Sequence, residues 1–290
     1  MSAAAAEATR AFRRLRRRDF PELLRQIHDP PRALFLRGCA PVEMVAQPAV
    51  AVVGARACSP YGAQVARMLG RELAAAGLVV VSGLARGVDG EAHRGALEAE
   101  GVTIAVLGCG IDRDYPAAHA ELARRICERG LVVSEYEPGV EPAPWRFPAR
   151  NRIIAGLAVV TVIVEARERS GALITADFAL EGGREVFAVP GEITGSLATG
   201  TNRLLRQGAS PLTSTEDVLE LFGLAASQRP RTPTVGATAA AVLERLGDGA
   251  ASADELARTT GLEPGAVAAA LAELELAGLT IEADGRYRGW

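Results

Sequence analysis

The sequence predicts an α/β protein, with a mostly parallel sheet covered by helices on both faces and a small C-terminal module of three helices and a hairpin. Three observations predict it. Short, continuously apolar runs such as Ala49–Val53 alternate with amphipathic stretches of helical length, the pattern of strands buried on both sides. Most of these runs end on a glycine-bearing turn that opens a helix. After residue 222 the rhythm stops at a segment rich in Pro, Ser and Gly, and helical spacing takes over.

Composition shifts divide the chain into a basic N-terminal arm or helical segment (1–40), the α/β domain (41–222), a linker (223–236) and the C-terminal module (237–290). Residues 1–18 read as a helix fragment or arm. Their run Arg13-Arg14-Leu15-Arg16-Arg17-Arg18 is either a phosphate contact or a solvated helix face. A short helix at 21–27 stops before Pro30-Pro31, and Ala33–Arg37 is a strand. Ala49–Val53 ends in Gly54-Ala55-Arg56. Ser59 then caps a helix with Pro60 at its first position. The strand at 78–81 ends in Ser82-Gly83-Leu84-Ala85-Arg86-Gly87 and feeds a helix at 88–100. The strand at 103–107 ends in Gly108-Cys109-Gly110 before a helix at 117–129. A strand at 131–136 leads through a Pro-rich loop into a helix that opens at Trp145-Arg146-Phe147-Pro148-Ala149-Arg150-Asn151-Arg152. The strand at 159–165 precedes a helix beginning at Ser170-Gly171-Ala172. The strand at 185–189 ends in Pro190-Gly191, with a helix at 201–207.

In the C-terminal module, a helix at 237–246 is followed by the capping box Ser252-Ala253-Asp254-Glu255 and by a third helix opened by Pro264. A hairpin around Asp284-Gly285 completes a winged helix. The third helix carries Glu273 and Glu275 and no basic residue. That argues against reading DNA with it and for a protein-contact module.

Composition excludes several function classes. Apolar residues are 49% of 290, enough for a sizeable core, but the longest apolar runs are far too short to span a bilayer. Residues 1–18 lack the apolar core of a secretory signal, so the expectation is a cytoplasmic chain with no membrane partner. The four cysteines and three histidines show no metal-ligand spacing. No metal, cofactor or catalytic residue is assigned. The net charge of −3 argues against a generic polyanion binder. Residues 1–40 carry 9 basic and 4 acidic side chains and residues 41–222 carry 17 and 22, while all 32 basic residues are arginine. A nucleic-acid site must therefore be a local arginine cluster.

Ligands of open α/β sheets bind outside the carboxyl ends of the strands. Those ends carry Gly54 and Arg56, Gly83, Arg86 and Gly87, and Ser170 and Gly171. The segment 145–152 adds three arginines, an asparagine and two aromatics. Guanidinium forks fit phosphate oxygens and an aromatic face stacks on a base. Arg150 and Arg152 lie two apart, so on a helix they do not share a face. No G-x-G-x-x-G follows the first strand of the α/β domain, and there is no G-x-x-x-x-G-K-[ST]. Asp89 and His93, four apart, read either as an acid/base pair or as a hydrogen-bonded pair that packs their helix.

In order and spacing, these segments resemble the DNA-processing protein A (DprA, or Smf) family. The series includes Val52-Val53-Gly54-Ala55-Arg56, Ser82-Gly83-Leu84-Ala85-Arg86-Gly87-Val88-Asp89, Phe147-Pro148-Ala149-Arg150-Asn151-Arg152-Ile153-Ile154-Ala155-Gly156-Leu157 and Ser170-Gly171-Ala172-Leu173-Ile174-Thr175. The resemblance implies an extended Rossmann-like domain that binds single-stranded DNA without sequence preference. It also implies delivery of that DNA to the RecA recombinase in natural transformation, and homodimerisation through the Rossmann-like domain. Arg56 and Phe147 take the places of the family's DNA-pocket arginine and phenylalanine. Ala55 stands where many members have serine, and Pro144 near a common lysine.

The expected nucleic-acid site comprises Gly54, Arg56, Ser59, Gly83, Arg86, Gly87, Arg146, Phe147, Arg150, Asn151, Arg152, Ser170 and Gly171. The rival reading is a Rossmann-like nucleoside monophosphate phosphoribohydrolase with Glu165 acting on a ribose. The sequence Ser170-Gly171-Ala172-Leu173 counts against it, because those enzymes carry a Pro-Gly-Gly-x-Gly-Thr phosphate loop. A third reading makes the winged helix the main binding module.

Overall fold

A computed structural model describes residues 12–224, 235–247, 249–283 and 285–289. The chain forms two compact units that meet in sequence at 227/228. In the first, β1 (Arg13–Arg16), α1 (Glu22–Arg25) and β2 (Ala33–Arg37) precede β3 (Ala49–Val53), α2 (Pro60–Ala75), β4 (Val79–Ser82) and α3 (Val88–Glu98). There follow β5 (Thr103–Val106), α4 (Ala120–Arg129), β6 (Leu131–Ser134), α5 (Arg146–Leu157), β7 (Val160–Ile163) and α6 (Gly171–Glu181). The unit closes with β8 (Glu185–Ala188), α7 (Thr199–Arg206), β9 (Ser210–Pro211) and α8 (Glu216–Leu219).

The nine strands make one sheet in the order β1-β2-β6-β5-β4-β3-β7-β8-β9, parallel from β6 to β9. Both faces are buried, as continuous apolar strands require. Ala51 and Val53 of β3 face a core shared with Leu24, Ile153, Ile154 and Leu173. Val50 and Val52 face Leu69 and Leu73 of α2 and Ala92 of α3. Leu122 and Ile126 of α4 cover Ala105 and Val132. From β3 the chain winds through β4, β5 and β6, then returns to β7 on the other side of β3. The reversal point of the sheet therefore lies between the ends of β3 and β7, where a crevice opens.

One departure from the sequence reading concerns the basic run. Arg13–Arg16, expected as a helix or arm, is an edge strand antiparallel to β2, with Arg13 opposite Leu36 and Arg16 opposite Ala33. The Arg13 guanidinium donates to the carbonyls of Gly38 and Ala40, and Leu15 packs against the core.

The second unit contains α9 (Ala237–Leu246), α10 (Ala253–Thr260), α11 (Pro264–Leu276) and the hairpin β10 (Thr280–Ala283) and β11 (Arg286–Gly289). Ser252 and Glu255 form the expected capping box, and Val242, Leu256, Val267 and Leu271 centre a separate core. Among the described residues no helix is long and apolar enough to cross a membrane, and no group of His, Cys, Asp and Glu is arranged to hold a metal.

Candidate nucleic-acid interface

At the reversal point the turn after β3, the start of α5 and the loop from β7 into α6 enclose a cleft of about 320 Å³. Seven of the expected residues line it: Gly54, Arg56, Phe147, Arg150, Asn151, Ser170 and Gly171.

Arg150 forms the floor and is 5% exposed. Its Nη1 donates to the carbonyls of Gly83 and Val106, and its Nη2 lies 3.9 Å from Asp89 Oδ2. Asp89 in turn accepts the backbone N–H groups of Gly83 at 3.2 Å and Ala85 at 3.3 Å. Burial pulls Arg150 down to about 10, opposed by the charge of Asp89. Burial pushes Asp89 upward, opposed by Arg150 and those N–H groups. The pair ties the turn after β4 to α5, with the Arg150 Nε and Nη1 donors and the Asp89 Oδ2 acceptor engaged within the protein. Asn151 holds the other wall, with its Nδ2 donating to Gly171 O at 3.0 Å and its Oδ1 accepting from Arg150 Nε at 3.3 Å.

The remaining cleft side chains stand above this frame. Arg56 is exposed, and its guanidinium lies over the Phe147 ring, 5.4 Å from the centroid. Phe147 is stacked on Tyr115 with centroids 5.1 Å apart and planes at 25°. The N-terminus of α6, capped by Ser170 accepting from the Ala172 N–H, adds a positive dipole end. The sequence reading passed over Arg167 and Arg169, both exposed and both lining the cleft. The strand-end rule that found Arg56 points to them too, since they lie in the loop between β7 and the Ser170-Gly171 helix start. Among the described residues Arg56, Arg167 and Arg169 form no ion pair.

The other six expected residues lie outside the cleft. Ser59 caps α2, and its N–H and hydroxyl both donate to Glu165, the former at 2.9 Å. Gly83 is buried against Arg150 and Asp89, where a Cβ would collide. Gly87, at φ +73°, starts α3 with no room for a side chain beside the Ala55 carbonyl. These two glycines bring protein turns together. Arg86 is exposed beyond the cleft rim. Arg146 lies between Tyr136 and Trp145, 5.0 and 4.9 Å from their ring centroids, and donates to Glu141 O. Arg152 is locked by Glu135, with two contacts of 2.7 Å, and by the Asp29 carbonyl at 2.8 Å.

The structure also bears on two alternatives that the sequence left open. His93 bonds Thr103 Oγ1 at 2.7 Å, while the Thr103 hydroxyl donates to Val80 O. A hydroxyl has one proton, so His93 Nδ1 is the donor in that contact. Burial and neighbouring cations hold His93 at about 3. Asp89 and His93 therefore serve different partners and form neither an acid/base pair nor a hydrogen-bonded pair; each ties α3 to a different neighbour, Asp89 to the turn after β4 and His93 to Thr103 of β5. Glu165, which the rival enzymatic reading needs free, is 6% exposed and engaged by Ser59.

Fold and cleft together define a Rossmann-like α/β protein with an arginine-rimmed site at its reversal point. The chain belongs to the DNA recombination-mediator protein A family, whose model matches residues 12–223, and the DprA winged helix domain matches residues 225–285. It is 47% identical over 203 residues to the DNA processing protein DprA of Streptococcus pneumoniae, covering 70% of this chain and 71% of that one. It is 40% identical over 279 residues to the protein Smf of Escherichia coli, covering 92% and 74%. Its fold matches the solved DNA processing protein A of Helicobacter pylori, described for its single-stranded DNA binding mode. There the TM-score is 0.66 at 32% identity, over 73% of this chain and 95% of that one.

Proposed function

We propose that this chain binds single-stranded DNA in the cleft between β3, α5 and α6, without sequence preference, and acts as a binding protein rather than a catalyst. The observation that carries this reading is the set of three exposed arginines, Arg56, Arg167 and Arg169, which form no ion pair among the described residues, around a cleft edged by the Phe147 ring. Guanidinium groups without acidic partners are available to backbone phosphates. A base laid on Phe147 contributes about 1–3 kcal/mol whatever its identity, which makes the recognition sequence-tolerant. The single-strand binding described for the H. pylori relative agrees with it. As family members are expected to do, the chain then protects incoming DNA and delivers it to the RecA recombinase during natural transformation, as a homodimer in the cytoplasm. The winged helix is assigned to protein contact, because α11 presents Glu273 and Glu275 and no cation.

A binding competition among single-stranded DNA, duplex DNA and nucleoside monophosphates tests the reading. The expected order places single strands first. Preference for mononucleotides, with release of free base, would restore the enzymatic alternative.

A further inference from the structure

The basic run that the cleft leaves unused has a position in the sheet. β1 and β6 are both antiparallel to β2, so β1 runs parallel to β6 and hence to β3. Its last residue, Arg16, therefore ends on the same rim as the cleft. Arg17 and Arg18 continue from it, and Arg32 stands just before Ala33, the partner of Arg16. All four side chains are exposed, and the only acid paired with any of them among the described residues is Asp19, 3.6 Å from Arg18. The neighbouring carboxylates Asp29 and Glu135 are held by Arg152.

Between this corner and the cleft the rim carries aromatic rings. Tyr115, 43% exposed, follows β5 and is stacked on Phe147. Trp145, 63% exposed, precedes α5 and is braced by Arg146. β1 and β3 are five strand spacings apart in the sheet order, or about 24 Å. At about 3.4 Å per phosphate, a stacked strand covers that distance in roughly seven nucleotides.

We propose that Arg16, Arg17, Arg18 and Arg32 form a second phosphate-contact region, which takes the same single strand after it leaves the cleft and crosses Tyr115 and Trp145. This rests on the single-strand reading of the cleft. It adds a path, and with it a minimum length for full affinity.

The test measures the full chain against oligothymidylates of about 6 and about 20 nucleotides over a range of salt, the shorter being too short to reach from cleft to corner. Replacing Arg16, Arg17, Arg18 and Arg32 together by Ala is expected to leave the short oligonucleotide unaffected. It should weaken the long one by about tenfold and lower the slope of log affinity against log salt by about 2 to 3. The matching Arg→Lys variant should restore the long-strand affinity. Arg56→Ala should weaken both lengths. Unchanged long-strand affinity and slope in the Ala variant, with Arg56→Ala impaired, would overturn the corner alone. So would an equal loss at both lengths, which reports a general field and not a path. If Arg56→Ala also binds both lengths like the wild type, the cleft reading itself falls.

Discussion

Arg150 and Asp89 face each other 3.9 Å apart beneath the cleft, both at least nine-tenths buried, and between them they hold the turn after β4. Removing one member of a buried pair strands the other charge. Arg150→Ala is expected to cost about 3–5 kcal/mol in urea unfolding, and Arg150→Met with Asp89→Asn to cost less than Arg150→Ala. A loss below about 1 kcal/mol would mean that the pair is not the frame of the site.

Arg152 belongs to the fold, although its sequence neighbourhood placed it with the ligand. Its guanidinium is divided between Glu135 and Asp29. Arg152→Ala should therefore cost about 1–3 kcal/mol of stability, by leaving Glu135 without its partner. Single-strand affinity should stay within about twofold. A large loss of affinity at unchanged stability would return Arg152 to the interface.

His93 gives the fold a pH dependence of known sign. Folded, it takes up a proton only near pH 3; unfolded, near 6.5. Between those values the unfolded chain binds the extra proton. The stabilisation is complete above pH 6.5 and is lost as pH falls toward 3, by at most about 1.4 kcal/mol per pH unit. Urea midpoints from pH 7 to pH 4 should fall less steeply for His93→Gln than for the wild type. Parallel slopes would remove His93 from the account.

Arg167 and Arg169 carry no structural duty that the described residues reveal. Replacing either by Ala should leave the urea midpoint unchanged and reduce the salt dependence of single-strand binding by about 0.7 in slope for each phosphate that the side chain neutralises. A full wild-type slope in both variants would leave them as solvated rim.

What the sequence made legible follows from which forces are local. The parallel core was readable because Ala49–Val53 and its counterparts are apolar without alternation, and the site because strand ends and glycine turns mark one edge. The strand Arg13–Arg16 was not readable. Its side chains carry no apolar alternation, and the strand exists through its pairing with β2 and the bonds of Arg13 to Gly38 and Ala40. Spacing separated Arg150 from Arg152 but left open which one faced a ligand. The partners that engage both, Asp89 for one and Glu135 and Asp29 for the other, are brought up by tertiary contact. Arg56 and Phe147 both reach the cleft as expected, because one lies in the turn that follows β3 and the other in the first turn of α5.

The central claim is that Arg56 and Phe147 work on one strand of DNA. Titrating a single-stranded oligonucleotide into Arg56→Ala, Phe147→Ala and the double variant at several salt concentrations tests it most directly. Phe147→Ala should lose about 1–3 kcal/mol of binding with its salt slope intact, and Arg56→Ala should lose affinity and flatten the slope by about 0.7. The double variant should lose less than the sum of the two, because the Arg56 guanidinium rests on the Phe147 ring. Wild-type affinity in both single variants would contradict the assignment of the cleft.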